Sequence, residues 1–228
     1  AVELALPWPD SGPSIVWRSP IGQGYSGCVI VKDRVYTQEQ DRSGQYLLCL
    51  DLHTGQVIWR TRYGWPWQIN GSWPGPYASP TFDNGIIYFA DTYGIIGGAN
   101  ADHGKVLWLT HLGKGLGAKI PGFGYACPPL VFNSKVYCPA GGSGSSIIAL
   151  DTITGRLVWK SGNDPGGYSP AIPILVEGHT QIVSYLENTL VSHDPQTGVE
   201  LWRDDWSKGY DPHGSTPLYS APYLYRAA

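Results

Sequence analysis

The sequence predicts an all-β protein, a β-propeller of four-stranded antiparallel blades with about four blades present and open ends. Three observations predict it. A nine-residue phrase that ends in tryptophan recurs four times, apolar stretches flank its turn, and a second phrase opens each repeat with a tyrosine. Repeats of about 40 to 50 residues with four strands each are typical of propeller blades. We expect one domain over residues 1–228, with repeats at about 25–60, 77–109, 125–160 and 168–203 and the start of a fifth at 219.

The nine-residue phrase is a β-hairpin with its turn in the middle. Its first Asp or Asn side chain can accept hydrogen bonds from backbone N–H groups two or three residues later, and its glycine supplies the positive φ that closes the turn with a bulge. We expect each closing tryptophan to dock against the neighbouring blade rather than bind a ligand. The structural repeat residues are Asp51, Gly55, Trp59, Gly104, Trp108, Asp151, Gly155, Trp159, Asp194, Gly198 and Trp202.

The tyrosine phrase opens a second hairpin in each repeat. Its fullest forms are Tyr-Ala-Ser-Pro at 77–80 and Tyr-Ala-Cys-Pro at 125–128, and related forms begin at Tyr25, Tyr168 and Tyr219. After the phrases that begin at Tyr25, Tyr77 and Tyr125, an apolar strand turns back through a short polar turn into a second apolar strand. Two hairpins give four strands per repeat.

The composition excludes some partners. Charged residues make up 14% of the chain, the net charge is −3, and like charges do not cluster. This is not the electrostatic footprint of a nucleic-acid-binding or anionic-membrane-binding protein. With 30 glycines, 19 prolines, 10 tryptophans and 15 tyrosines, the chain is rich in turns and β-favouring aromatics. No apolar run reaches the length of about 18 residues that a membrane span needs, so we predict none.

The Asp-x-x-Thr-Gly-x-x-x-Trp phrase, the Tyr-Ser-x-Pro opening and the Val-Tyr second strand together resemble the pyrroloquinoline-quinone-like (PQQ-like) repeat, over roughly residues 15 to 222. This family includes quinoprotein dehydrogenases, an outer-membrane assembly lipoprotein that acts as a scaffold, and many exported bacterial propellers. The resemblance implies a secreted or cell-envelope location. It also implies a ring of about seven or eight blades. The segment Ile15-Val16-Trp17-Arg18 resembles an orphan outermost strand, so we expect further blades from missing chain or a homo-oligomer joined at the open ends.

The resemblance also implies what a quinoprotein dehydrogenase would need: an adjacent cysteine pair over the cofactor, acidic calcium ligands and a catalytic aspartate. No Cys-Cys pair occurs in the sequence. We therefore predict no catalytic residue, no metal and no cofactor, and expect PQQ and calcium only under the alternative of a PQQ-dependent dehydrogenase. The favoured hypothesis is a non-catalytic exported propeller that binds protein or glycan as a scaffolding module. A structural subunit of an extracellular filament or coat is a further alternative.

The segments that join one repeat to the next are unusually aromatic. Three tryptophans fall within nine residues of a Pro/Gly-rich loop, and rigid aromatics are preferred anchors of binding surfaces. The alternative is that these loops simply pack on one another. The predicted binding face comprises Trp65, Trp67, Trp73, Tyr77, Phe123, Tyr125, Tyr168, Trp206 and Tyr210.

Other candidate sites have simpler interpretations. Asn70 lies in a glycosylation sequon, which matters only in an exported protein. Cys127 and Cys138 would lie diagonally on one hairpin, so a disulfide between them would need distortion or a bulge. A solvated loop is favoured over a cation site or an acid/base site for the last acidic and histidine residues, Asp204, Asp205, Asp211 and His213.

Overall fold

The computed structural model describes residues 9–10, 12–68, 73–205 and 214–226. Within these ranges the chain forms β-strands and turns, with no helix. The strands make four four-stranded antiparallel sheets and one two-stranded sheet, and the sheets are open. This confirms the predicted all-β propeller architecture.

Each four-stranded sheet is a meander in which every strand pairs with the next one in the chain. The first sheet contains β1 (Val29–Val31), β2 (Arg34–Asp41), β3 (Gly44–Asp51) and β4 (Val57–Gly64). The second contains β5 (Thr81–Asp83), β6 (Ile86–Ala90), β7 (Ile95–Asn100) and β8 (Val106–His111). The third contains β9 (Leu130–Phe132), β10 (Lys135–Pro139), β11 (Ile147–Asp151) and β12 (Leu157–Ser161). The fourth contains β13 (Ile172–Val176), β14 (His179–Tyr185), β15 (Thr189–His193) and β16 (Glu200–Asp205).

The hydrophobic core lies between successive sheets, because side chains alternate between the two faces of each strand. On β2, Tyr36 packs with Ile87 and Phe89 of the second sheet, whereas its neighbour Val35 packs on the opposite face with Trp17. Similar apolar layers join the second sheet to the third and the third to the fourth. The propeller is therefore a stack of blades, each stabilised by packing against the blade or blades beside it.

The predicted hairpin turn is present in each of the four blades. In the third blade, Asp151 Oδ1 accepts from Thr154 N at 2.8 Å and from Thr154 Oγ1 at 2.7 Å, and Gly155 has a φ of 66°. The register of β11 and β12 shifts beside this turn, which is the expected bulge. These hydrogen bonds lower the pKa of Asp151. The other three turns begin at Asp51, Asn100 and Asp194 and share this geometry.

Each repeat tryptophan of the first three blades docks onto the turn of the next blade. Trp108 Nε1 donates to the Thr152 carbonyl at 2.9 Å, and its ring lies on Gly155, where a methyl group would overlap the indole. A glycine is required there both by the positive φ and by this close approach. The same hydrogen bond joins Trp59 to Ala101 and Trp159 to Pro195, at 3.2 and 3.1 Å.

The two ends of the stack differ from the middle. Residues 15–18 form no strand, but Trp17 docks on the first blade as a repeat tryptophan would: it donates to the Leu52 carbonyl at 2.7 Å and lies on Gly55. At the other end, Trp202 Nε1 donates to Gln181 Oε1 of its own sheet at 2.7 Å. The fifth repeat contributes the hairpin of β17 (Leu218–Ser220) and β18 (Tyr223–Tyr225).

The four cysteine thiols are free: Cys28 is exposed, and Cys49, Cys127 and Cys138 are buried. Burial raises the pKa of Cys138 to about 12. In the described part of the chain, we find no helix of the length and apolar character required to cross a membrane.

Candidate binding groove

Four of the predicted binding-face aromatics meet in one groove. Trp73, Tyr77, Phe123 and Tyr168, with the methyl group of Ala126, line a cavity of about 360 Å³. They come from the segments that precede the innermost strands β5, β9 and β13. Since β5 contacts both β1 and β9, these segments converge where the blades approach one another most closely. We call this cavity the aromatic groove.

The rings of the aromatic groove meet at steep angles. Phe123 and Tyr168 have ring centroids 6.3 Å apart and an interplanar angle of 50°. Tyr25, the first-repeat counterpart of Tyr77, lies beside Trp73 at 5.8 Å and 79°, and beside Tyr77 at 5.9 Å and 42°. Edge-to-face and tilted pairs are favoured by the ring quadrupole. The surface formed by these rings is therefore ridged and not a single flat platform.

Backbone contacts between blades hold the groove in place. Gly75 has a φ of 101° and packs directly against the backbone of Gln23 and Gly24, where no side chain would fit. Beside it, Tyr25 N donates to the Pro76 carbonyl at 2.9 Å. These contacts attach the segment that carries Trp73 and Tyr77 to the chain ahead of β1 and so fix this wall of the groove.

Hydrogen bonds engage both tyrosine hydroxyls of the groove. Tyr77 Oη donates to the Trp73 carbonyl at 2.5 Å, and Phe123 N donates to Tyr168 Oη at 3.3 Å. Trp73 and Phe123 remain exposed, at 62% and 47%. The groove therefore offers mostly ring carbon to a ligand.

A second cleft adjoins the aromatic groove. It has a volume of about 250 Å³, shares Tyr168 with the groove, and carries the charged side chains of Lys119 and Glu187. The ion pairs among the described residues involve neither of these two side chains. The rest of its lining is Ile120 and the glycines and prolines Pro121, Gly122, Pro165 and Gly166. We call it the charged cleft.

Trp65 and Trp67, also predicted for the binding face, lie outside the groove. Trp65 is 72% exposed and lies under the Arg62 guanidinium, 4.8 Å from its carbon to the ring centroid. Trp67 is half-buried and packs edge-on against Tyr93 at 4.8 Å. Buried Gln40 fixes this segment, because it accepts from Trp67 N at 2.6 Å and donates to the Trp67 carbonyl at 3.0 Å.

The prediction that Tyr125 belongs to the binding face is wrong. Its side chain is 1% exposed and packs with Cys127 and Cys138 in the core between the second and third blades. The reason is local: Gly124 has a φ of 95°, and Tyr125 N donates to the Thr92 carbonyl of the preceding blade at 2.8 Å. This turn directs the ring inward. Of the other predicted residues, Trp206, Tyr210, Asn70, Asp211 and His213 lie outside the described residues.

Sequence reasoning missed the charged residues Lys119 and Glu187 of the cleft, and Tyr25, which packs against Trp73 and Tyr77 of the groove. Tyr25 could have been found, because it opens the first repeat as Tyr77 opens the second. The other two belong to no repeated phrase, and their proximity depends on how the third and fourth blades stack.

The strongly perturbed titratable groups lie between blades and not in the groove. Burial raises the pKa of Asp91 to about 6, and burial lowers the pKa of His193 to about 4. Asp91 contacts the first blade at Gly64, and His193 stacks against Trp159 of the third blade. In the described part of the chain, no three His, Cys, Asp or Glu side chains are grouped to hold a metal ion. Asp204 and Asp205 are exposed but lie in strand β16, not in a loop as predicted, and their carboxylates are 3.8 and 3.6 Å from the guanidinium groups of Arg226 and Arg203.

Solved structures with the same fold have different activities. The chain superposes with a TM-score of 0.60 and 18% identity on BamB from Moraxella catarrhalis, covering 86% of this chain and 56% of that one. It superposes with a TM-score of 0.57 and 19% identity on the quinohemoprotein alcohol dehydrogenase from Comamonas testosteroni, covering 86% of this chain and 38% of that one. At these identities the likeness shows the fold alone.

A curated relative and a family model match the sequence itself. Tetrathionate hydrolase from Acidithiobacillus ferrooxidans is 25% identical over 146 residues, which cover 58% of this chain and 27% of the relative. The chain thus spans about a quarter of that relative and about half of the BamB structure. The family model described as outer membrane protein assembly factor BamB matches residues 54–216. The chain therefore belongs to the PQQ-like propeller repeat family that this model represents.

Proposed function

We propose that this propeller is a non-catalytic binding module that captures a partner molecule in the aromatic groove. The observation that carries the proposal is the convergence of Trp73, Tyr77, Phe123 and Tyr168 from three segments onto one exposed cavity. Large, rigid aromatics in a preformed pocket supply binding energy at little cost in side-chain entropy. An exported protein of the cell envelope, which family membership supports, would use such a groove to hold another envelope component.

The lining of the groove supports binding rather than catalysis. It contains aromatic rings and a methyl group, and no carboxylate, imidazole or thiol. A general acid, general base or nucleophile must lie within hydrogen-bond reach of the reacting atom. The dehydrogenase alternative would also need residues that cover and ligate PQQ and calcium, and neither the sequence nor the described residues offer a matching set.

A scaffolding role would use the ends of the stack as well. Beyond the fourth blade, a cleft of about 600 Å³ lies between that sheet and the hairpin of β17 and β18, lined in part by Ile174, Trp202 and Leu224. Further blades or a second copy of this chain would bury this apolar surface. Measuring the mass of the particle in solution distinguishes a monomer from a discrete oligomer.

The groove is tested by selecting ligands from a peptide library and a glycan library in parallel. We expect ligands that bind the wild-type protein and lose at least about tenfold in affinity for a Trp73→Ala, Phe123→Ala double variant. Trp65→Ala is the matched control, because Trp65 is as exposed as Trp73 but lies outside the groove. If no selected ligand distinguishes the double variant from the control, the groove is not the binding site.

The enzyme alternative is tested on the same preparation. The protein is mixed with PQQ and Ca²⁺, and its absorbance spectrum and dye-linked alcohol oxidation are measured. We expect no retained chromophore and no oxidation above the protein-free blank. A stoichiometric quinone spectrum that survives gel filtration would contradict the non-catalytic assignment.

A further inference from the structure

We infer that the ligand of the aromatic groove is a proline-containing polypeptide segment in an extended, polyproline II conformation, with a basic residue that reaches Glu187 in the charged cleft. This inference rests on the proposed binding function and names its ligand class. Three observations support it: the arrangement of the rings, the hydrogen bonds that already engage the tyrosine hydroxyls, and the Glu187 carboxylate, which has no ion pair among the described residues.

The ring arrangement fits a ridged ligand. Phe123 and Tyr168 of the groove stand at 50° to each other, and Tyr25 beside the groove meets Trp73 at 79°, so the groove walls are ridged rather than flat. A polyproline II helix presents pyrrolidine rings along its ridges and repeats every three residues, with a rise of about 3.1 Å per residue. Grooves lined by aromatic side chains are the common docking sites of such segments.

The hydrogen bonds already made by the Tyr77 and Tyr168 hydroxyls disfavour a sugar as the ligand. A glycan would bring hydroxyls into a groove where the Tyr77 and Tyr168 hydroxyls already take part in hydrogen bonds and the remaining lining is ring carbon and methyl. Burying a polar group without a partner costs about 1–3 kcal/mol. Proline has no backbone N–H, so it buries fewer donors that would need a partner.

The charge of the adjoining cleft favours a polypeptide with a basic residue. Glu187 is half-buried, whereas Lys119 on the other side of the cleft is exposed. Glu187 has no ion pair among the described residues, and a half-buried carboxylate gains more from an incoming Lys or Arg than the exposed Lys119 gains from an incoming acid. The loop of Glu187 is attached to the cleft wall, since Glu187 N donates to the Pro165 carbonyl at 3.4 Å.

Four types of labelled synthetic peptide, each with a six-residue core, test the inference by fluorescence anisotropy. The first is a proline-rich core alone, the second adds a terminal arginine, the third adds a terminal glutamate, and the fourth has a terminal arginine on a core whose prolines are replaced by alanine. The arginine is placed at the amino end in one set and at the carboxyl end in a second set. We expect the arginine peptide of one set to bind at least about tenfold more tightly than its alanine counterpart, because the proline core is preorganised.

Two surface variants examine the charged contact. Glu187→Gln should weaken the arginine peptide about two- to fivefold, in line with a single partly exposed ion pair, and leave the uncharged peptide unchanged. Lys119→Gln is the matched control and should not weaken the arginine peptide. Glu187→Gln preserves the size of the side chain and Lys119 is exposed, so we expect both variants to fold, which a thermal melt verifies.

The outcomes separate this inference from the proposed function. If the glutamate peptide binds better and depends on Lys119, or if proline and alanine cores bind equally, the ligand class is wrong. If the peptides do not bind but glycans selected on the wild-type groove do, the ligand class is wrong while the binding function stands. If Trp73→Ala leaves all ligand binding unchanged, both fail.

Discussion

Tryptophan occurs in two environments in this protein: the repeat tryptophans lie between blades, and the loop tryptophans Trp65 and Trp73 are exposed. Trp108 is 8% exposed, donates to a carbonyl of the next blade and covers a glycine that has room for no side chain. Trp73 is 62% exposed and makes no such docking contact with a repeat glycine. The difference indicates that a tryptophan whose partner glycine recurs in phase stabilises the stack, whereas Trp73, which has no such partner, keeps its ring exposed.

We expect the largest loss of stability when a docked tryptophan ring is removed. Trp108→Ala should destabilise the protein by about 3–5 kcal/mol, since it removes a buried aromatic side chain and leaves a cavity between blades. Trp65→Ala should change the free energy of unfolding by less than about 0.5 kcal/mol, because the ring is exposed. Urea unfolding monitored by circular dichroism measures both. Equal destabilisation by the two substitutions would remove the distinction.

A pair of glycines separates the docking contact from backbone strain. Gly155 and Gly178 have φ angles of 66° and 81°, but Gly155 lies under the Trp108 ring and Gly178 faces open space. Gly178→Ala should cost about 1–2 kcal/mol from the left-handed conformation alone. Gly155→Ala should cost about 2–4 kcal/mol, because steric overlap is added to that strain. If thermal melts of the two variants coincide, close approach to the indole contributes nothing.

The blades were predictable from the sequence because each one repeats the same hairpin turn and the same contact with its neighbour. Asp151, Gly155 and Trp159 act within one hairpin or on its immediate neighbour, so their spacing in the chain carries their geometry. The predicted turn, bulge and docking contacts accordingly appear in the structure. Trp17 was expected in a strand, yet it docks through the same contact without one.

The groove was only partly predictable, because it depends on contacts between loops far apart in the chain. Aromatic composition was enough to select Trp73, Tyr77, Phe123 and Tyr168, but it also selected Tyr125, whose ring turns into the core. The left-handed Gly124 ahead of Tyr125 and the hydrogen bond from Tyr125 N to Thr92 accompany that inward direction. No periodic signal in the sequence distinguishes an aromatic that faces outward from one that faces inward.

His193 replaces an apolar residue of the repeat in the layer where the Trp159 ring packs between blades. It is fully buried at a position where the first and third blades have Leu50 and Leu150, and neither ring nitrogen has a hydrogen-bond partner among the described residues. Its pKa is about 4 in the folded protein, because burial disfavours the charged ring, against about 6.5 for an ordinary histidine. The unfolded chain therefore binds more protons between these two values, and stability falls as the pH is lowered through that window.

The expected loss from this group is about 2–3 kcal/mol between pH 6.5 and pH 4. His193→Leu should abolish that part of the pH dependence while preserving stability at neutral pH, since leucine occupies the same layer in two other blades. Denaturant titrations of both proteins at a series of pH values give the difference. Parallel curves for wild type and variant would show that His193 titrates normally.

The smallest effect concerns the turn itself, where the blades provide their own control. Asp151 and Asn100 occupy the same position in the third and second turns, and each accepts backbone N–H groups through Oδ1. Asp151→Asn should therefore cost less than about 0.5 kcal/mol, whereas Asp151→Ala should cost about 1 kcal/mol, because the N–H of Thr154 loses its acceptor. Chemical denaturation of the two variants resolves the difference. If Asn were as costly as Ala, the charge of Asp151 and not its acceptor geometry would stabilise the turn, and the shared conformation of the Asn100 turn would need another cause.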